Sequence, residues 1–309
     1  MPELIAVVAF LEASVRLGIP LALAAMGETI TERSGVINIG LEGSLIAGAL
    51  GGALGALAIG GPGGGILVGA LAGALVAMIF AGFAVGLGTD QIITGTAITL
   101  GGLGFTGAIY QSRFGTTGTA LTLPTLSSVP IPLLSDIPII GSALFNQAPT
   151  TYFTYLLAPA LWYFVYRTEW GLELRAVGEE PDAAAAAGVR VKQSRFWATV
   201  FGGALAGIAG AHLALAHAGT FAENMSAGRG FIAIAVVVLG RWNPFLVLLA
   251  ALFFGAASAL QFQAQTLGLD VPYQLFLAFP YLLTLLALAG WVGKSQAPAS
   301  LALPWPKES

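Results

Sequence analysis

The chain has 309 residues, is 57% hydrophobic, carries charge on only 9% of its residues and has a mean hydropathy of +0.86. A soluble domain carries roughly 25% charged residues, so this composition points to a membrane protein. The net charge of −3 gives no footing for nucleic acid. The lack of cysteine excludes disulfides, thiolate catalysis and cysteine-held metal.

A membrane span needs about 20 mostly apolar residues. Nine such runs are expected, at 4–27, 42–61, 64–88, 91–112, 150–166, 196–217, 227–240, 244–262 and 273–291, the seventh being short. The first is long enough to span and has neither a charged leader nor a small-residue cleavage pattern, so it is taken as a helix rather than a secretory signal. The runs are continuous rather than alternating, which favours helices over a barrel. The expected fold class is an all-α polytopic membrane protein forming one domain over 1–309. Small-xxx-small pairs such as Gly48/Gly52 and Gly203/Gly207 permit close helix packing, and are common in any glycine-rich membrane protein.

Between the first two spans, Glu28, Glu32, Arg33, Asn38 and Glu42 are interleaved with Gly35, Gly40 and Gly43. Glu32 and Arg33 read as solvated loop charges. Asn38 and Glu42 adjoin apolar helix, where a polar group is either a structural cap or part of a translocation path. Asp90 and Gln91 break the run between the third and fourth spans, as a tight turn or as further lining of that path. Glu12 and Arg16 lie four apart on the first span and can neutralise one another. His212 and His217 have no carboxylate close in sequence and read as helix-end residues rather than metal ligands. Gln261, Gln263, Gln265 and Asp270 read as a polar outer loop.

The segment from Arg113 to Thr150 is rich in proline and holds an apolar patch at 131–145. It is expected to be external, either packed as a loop or lying on the outer membrane surface. The segment 167–195 is the opposite in character. It holds ten charges, a concentration that needs water. Within it, Glu180-Pro181-Asp182, five alanines and Gly188 spell a short helix: proline suits the first helical position, acids suit the amino-terminal dipole, and glycine can stop the helix in the left-handed region. If this loop is cytoplasmic, nine of the twelve basic residues fall inside and Arg113 and Arg229 fall outside, with Arg16 within the first span. The amino terminus is then outside and the carboxyl terminus inside. The chain has neither a Gly-x-x-x-x-Gly-Lys phosphate loop nor a Gly-x-Ser-x-Gly elbow. No catalytic set, metal site or cofactor is therefore expected, and the energy for any transport comes from another chain.

Four stretches resemble the permeases of bacterial ABC importers, in the branch that takes in simple sugars, nucleosides and branched-chain amino acids. They are Glu32-Arg33-x-Gly35-Val36-x-Asn38-x-Gly40-x-Glu42-Gly43; Trp170-Gly171 through Arg175, Gly178 and Pro181 to Ala187-Gly188; Gly202–Gly210; and Met225-x-x-Gly228-Arg229-Gly230-Phe231 leading to Arg241-Trp242-Asn243-Pro244. The first most resembles the nucleoside-type subgroup. The resemblance implies a type II-like importer permease fold in the bacterial cytoplasmic membrane. It further implies two cytoplasmic ATPases, a second permease subunit that is often a different chain, and an extracytoplasmic binding lipoprotein. By the same resemblance, Arg175, Gly178, Glu179, Pro181, Asp182, Ala184 and Gly188 belong to a helix that docks into the ATPase. Many relatives carry an extra amino-terminal span for which this chain has no room. A permease for a pentose-like sugar is the near alternative, and an ion-driven secondary transporter the distant one.

Overall fold

The computed structural model describes residues 2–115, 121–266 and 297–306, together with Leu282. The chain is a bundle of helices: α1 (Pro2–Arg33), α2 (Leu41–Ile59), α3 (Pro62–Ala81, continued by a π-helical turn Gly82–Leu87), α4 (Gln91–Phe114), α5 (Ile140–Phe145), α6 (Pro149–Arg167), α7 (Glu169–Glu179), α8 (Pro181–Ala186), α9 (Val191–His212, continued by a π-helical turn Leu213–Ala218), α10 (Arg229–Leu239) and α11 (Pro244–Thr266). Two short strands, β1 (Val129–Pro130) and β2 (Asn146–Gln147), pair antiparallel. Helix starts follow local chemistry. Pro62, Pro149 and Pro181 sit in first turns, where a missing N–H costs nothing, and the Asp90 carboxylate caps α4 by accepting from the amides of Ile92 and Ile93.

Among the described residues, six helices are long and apolar enough to cross a membrane, and the chain is a multi-pass membrane protein. Three of the expected nine are not among these six. The fifth, 150–166, is α6, 19 residues long but less apolar than the six. The expected seventh span, 227–240, is α10, whose 11 residues rise about 16 Å at ~1.5 Å each, half the hydrocarbon thickness. The ninth, 273–291, lies outside the described residues. The first runs on to Arg33, because Glu28 and Glu32 are buried in the bundle rather than solvated in a loop. Gln261, Gln263 and Gln265 belong to α11 rather than to a loop, and Asp270 lies outside the described residues.

Helix α9 is the central post: 83% of its apolar window is buried, against 17% for α4 at the periphery. It packs on α1, α2 and α3, and α11 packs on α1. Glycines bring the backbones together. A Cβ on Gly207 would overlap the backbone of Gly69, one on Gly48 would overlap Gly207, and one on Gly210 would overlap the Leu45 carbonyl. Ile19, Leu23 and Met26 of α1 fill the core between these helices and are fully buried.

Contacts divide the bundle into two ends. At one, Arg33 donates to the Trp242 carbonyl, Lys192 to the Gly86 carbonyl, and Arg195 to the Leu303 carbonyl. At the other, the amides of Leu123 and Leu126 donate to the carbonyls of Gly219 and Leu215. The helices alternate between these ends, which puts the 167–195 and 297–306 segments together and the 113–150 segment opposite them.

Candidate functional site

The charged segment forms an elbow. Thr168 ends α6, and its hydroxyl accepts from the Gly171 amide (3.1 Å) to start α7. Helix α7 turns Leu174, Val177 and Gly178 inward and leaves Leu172, Glu173 and Glu179 in the open. Gly178 abuts the Arg33 carbonyl so closely that any side chain there would collide with it. Pro181 then opens α8, and Gly188 (φ +92°) stops it, its amide donating to the Ala185 carbonyl at 2.9 Å. That short helix is the one expected from proline, alanine and glycine. Its faces are not equivalent. Ala184 is buried against Val177 and Val191, whereas Asp182, Ala183, Ala186, Ala187 and Gly188 are exposed.

The 297–306 segment straps this elbow to the bundle. Ser300 donates to the Gly178 carbonyl through both its amide (2.9 Å) and its hydroxyl (2.7 Å), the Trp305 indole donates to Asp182 (2.8 Å), and the Ala299 amide donates to Glu179 (3.2 Å). Arg195, 3% exposed, ties the strap down by donating to the carbonyls of Ser34 and Leu303 and to the Ser300 hydroxyl. Arg175 lies over the Tyr166 ring, 5.5 Å from its centroid, and Arg33 lies over the same ring at 5.8 Å while donating to its hydroxyl. The residues expected to dock an ATPase therefore divide. Pro181 and Gly188 shape α8. Gly178 and Ala184 face inward. Arg175, Glu179 and Asp182 already engage this chain rather than standing free at a rim. The strap and Arg195 escaped sequence reasoning; the signal available was a guanidinium at the start of an apolar run and a tryptophan in a proline-rich tail.

Beneath the elbow lies a buried polar lattice. The amides of Ser34, Gly35 and Val36 close the last turn of α1 on the Thr31 and Glu32 carbonyls, and side chains then satisfy the stretch 37–39 as it enters the bundle. Glu28 accepts from the Asn38 amide (2.7 Å), Gln91 accepts from the Ile37 amide (2.9 Å), and Thr99 donates to the Ile39 carbonyl (3.1 Å). Glu32 accepts from the Trp242 indole (2.6 Å). Glu42, 1% exposed, accepts from the amides of Gly228 (2.8 Å) and Gly230, the entrance to α10. A Cβ on Gly230 would overlap the Glu42 backbone, so the glycine permits the approach, and the helix dipole favours the carboxylate. Of the four path candidates, Asn38, Glu42 and Gln91 meet in this lattice, and Asp90 stands apart as an exposed helix cap. The Asn38 side-chain amide is fully buried and has no hydrogen-bond partner among the described residues.

This combination of a half-length α10 clamped by Glu42 and an elbow projecting from the bundle is accompanied by a family match over most of the chain. The family described as "Branched-chain amino acid transport system / permease component" matches residues 10–288. The chain belongs to this family. The permease is 37% identical over 300 residues to the guanosine ABC transporter permease protein NupQ of Bacillus subtilis, covering 93% of each chain. It is 34% identical to the nucleoside ABC transporter permease protein NupC of Lactococcus lactis, covering 90% of each chain. TsgC13 of Haloferax volcanii, provisionally named a glucose ABC transporter permease protein, is 35% identical, covering 95% of this chain and 94% of its own. Shorter stretches resemble the permease proteins NupP and NupB of the same Bacillus and Lactococcus, over 32% and 28% of this chain. No solved structure matches the chain. The permease is a transport component of an ABC transporter, which agrees with the all-α polytopic fold and the importer resemblance expected from the sequence.

Proposed function

We propose that the permease is one of two membrane subunits of an ATP-driven importer for nucleosides in the bacterial cytoplasmic membrane. An extracytoplasmic binding lipoprotein delivers the solute, and cytoplasmic ATPases supply the energy. The observation that carries this reading is the exposed face of α8. Ala183, Ala186 and Ala187 are small, project from the most charged segment, and are not used in packing within the described chain. A face of small side chains can enter a groove on a soluble partner, with Pro181 and Gly188 fixing its ends. Motion of α8 would pass through Gly178 to Arg33, and from there through Trp242 and Glu32 to the lattice that holds Asn38, Gln91 and Glu42. These residues gate or support the path in this reading.

The nucleoside assignment draws on NupQ and NupC, and TsgC13 and TsgB13 of Haloferax volcanii favour a glucose reading. A heterodimer of permeases accounts for the double likeness: full-length to NupQ and NupC, partial to NupP and NupB. Reconstitution in vesicles with an ATPase, a second permease and the binding protein tests the assignment. ATP-dependent uptake of guanosine with little uptake of glucose is expected. ATP-dependent uptake of glucose alone would transfer the assignment to sugars, and uptake driven by an ion gradient without ATP would refute the reading.

A further inference from the structure

On the end of the bundle opposite the elbow, a polar cavity of about 280 Å³ opens between α1, the β2–α6 junction and the π-helical turn that follows α9. Six side chains define its chemistry: Glu12, Arg16, Asn146, Gln147, Thr151 and His212. Glu12 and Arg16 face the same cavity, as their spacing suggested, without forming an ion pair with one another. Neither makes an ion pair or side-chain hydrogen bond to another described residue. Charges within a span face protein partners or a wet cavity, because lipid would penalise them heavily. His212 is 1% exposed; its Nδ1 lies 2.6 Å from the Thr150 hydroxyl, and its Nε2 has no hydrogen-bond partner among the described residues. A buried ring nitrogen without a hydrogen bond is costly, which marks this wall of the cavity as unusual. The π turn at 213–218 adds a residue to the helix at this spot, a distortion that recurs at binding sites.

We propose that this cavity is a solute-binding site on the entry side of the permease, one that takes a neutral ring bearing adjacent donors and acceptors. The Glu12 carboxylate accepts from neighbouring N–H or O–H groups, and the Arg16 guanidinium donates to ring or carbonyl oxygen and nitrogen. The opposite charges of Glu12 and Arg16 balance, which suits an uncharged solute and disfavours a nucleotide. The volume lies just under the ~300–1,000 Å³ of sites for larger ligands, so it suits one base or one sugar ring at a time. A nucleobase and a monosaccharide share this chemistry. The inference rests on the importer reading, with the solute handed from the binding protein to this cavity before it reaches the path.

The chain is free of cysteine, which makes a protection experiment direct. In vesicles holding the assembled importer, Asn146→Cys and Ser128→Cys place a thiol at the cavity, and Ser127→Cys places one on the same loop away from it. Guanosine or glucose, at concentrations that saturate uptake, is expected to slow modification of the cavity thiols by an impermeant reagent at least threefold and to leave Ser127→Cys unchanged. Protection by guanosine alone identifies a base, and by glucose alone a sugar. In equilibrium binding with the same two solutes, Arg16→Gln is expected to weaken affinity at least tenfold. Absence of protection at both cavity positions, while wild-type uptake proceeds, would overturn the site and leave the importer reading standing. Absence of ATP-dependent uptake by the wild type would instead remove the importer reading itself.

Discussion

Replacing Glu42 with alanine removes both acceptors that hold the entrance of α10. The carboxylate is buried and receives the Gly228 and Gly230 amides, bonds made to a charged group that are worth about 1.5–3 kcal/mol each. Losing both costs about 3–6 kcal/mol locally, since the two amides are left in a place that water does not fill. At about 1.4 kcal/mol per decade, the opening equilibrium of this segment should rise at least a hundredfold. Glu42→Gln keeps one acceptor oxygen and should show roughly half the effect in kcal/mol. Hydrogen exchange of the purified permease, read by mass spectrometry on peptides covering 226–232, measures this directly, with the α2–α3 contact near Gly48–Gly55 as the internal control. Uptake should fall in step with the loss of protection. Exchange at 226–232 in Glu42→Ala equal to wild type would refute the clamp.

Three further outcomes are expected. Ala187→Cys and Ser128→Cys are exposed at opposite ends of the bundle, so an impermeant thiol reagent applied to intact cells should modify Ser128→Cys and spare Ala187→Cys; the reverse pattern would invert the topology. Position 178 is unsuitable for this experiment because a side chain there would strike the Arg33 carbonyl. Gly207→Ala forces α9 away from α3 and should destabilise the permease in detergent by about 1–3 kcal/mol, read as an earlier thermal unfolding midpoint; an unchanged midpoint would show that the helices can part there without loss. Trp242→Phe leaves the Glu32 carboxylate without its indole donor and should cost about 1–3 kcal/mol in the same assay, with a normal midpoint arguing that the bond contributes nothing net.

Much of the bundle was legible because its cause is local. Continuous apolar runs must be helical in lipid, and Pro181 and Gly188 bound α8 by conformational limits that hold in any context. Asp90 is a helix cap of the ordinary kind, so the turn reading of that residue describes its place. The misreadings share a different cause, which is distance along the chain. Glu32 and Arg33 look like loop charges until Trp242, 210 positions from Glu32, is seen to donate its indole N–H to Glu32 and to accept from Arg33 through its carbonyl. Residues 227–240 look long enough to approach a span, and hydropathy does not register that Gly228 starts α10 midway at a carboxylate on another helix. The orientation of α8 needs the same long-range information: periodicity is silent in a run of five alanines, and only the packing of Val177 and Val191 reveals that Ala184 faces in and Ala183 faces out. Glu12 and Arg16 are spaced to pair, and the cavity between α1 and the 146–151 segment gives them something else to face.

The central claim is that the outward face of α8 receives the ATPase, and Ala183→Trp tests it most directly. Ala183 is exposed, so the substitution costs the permease only the difference in helix propensity, up to about 0.7 kcal/mol, and insertion and thermal stability should stay near wild type. The inward neighbour behaves differently: Ala184→Trp overfills the contact with Val177 and Val191 and should unsettle the elbow itself by about 1–3 kcal/mol or more, so it cannot separate docking from folding. Affinity purification of the tagged Ala183→Trp permease, expressed with its ATPase, is the measurement. The account predicts a folded permease that no longer brings down the ATPase and no longer supports ATP-dependent uptake. A folded Ala183→Trp permease that retains both the ATPase and uptake would contradict it.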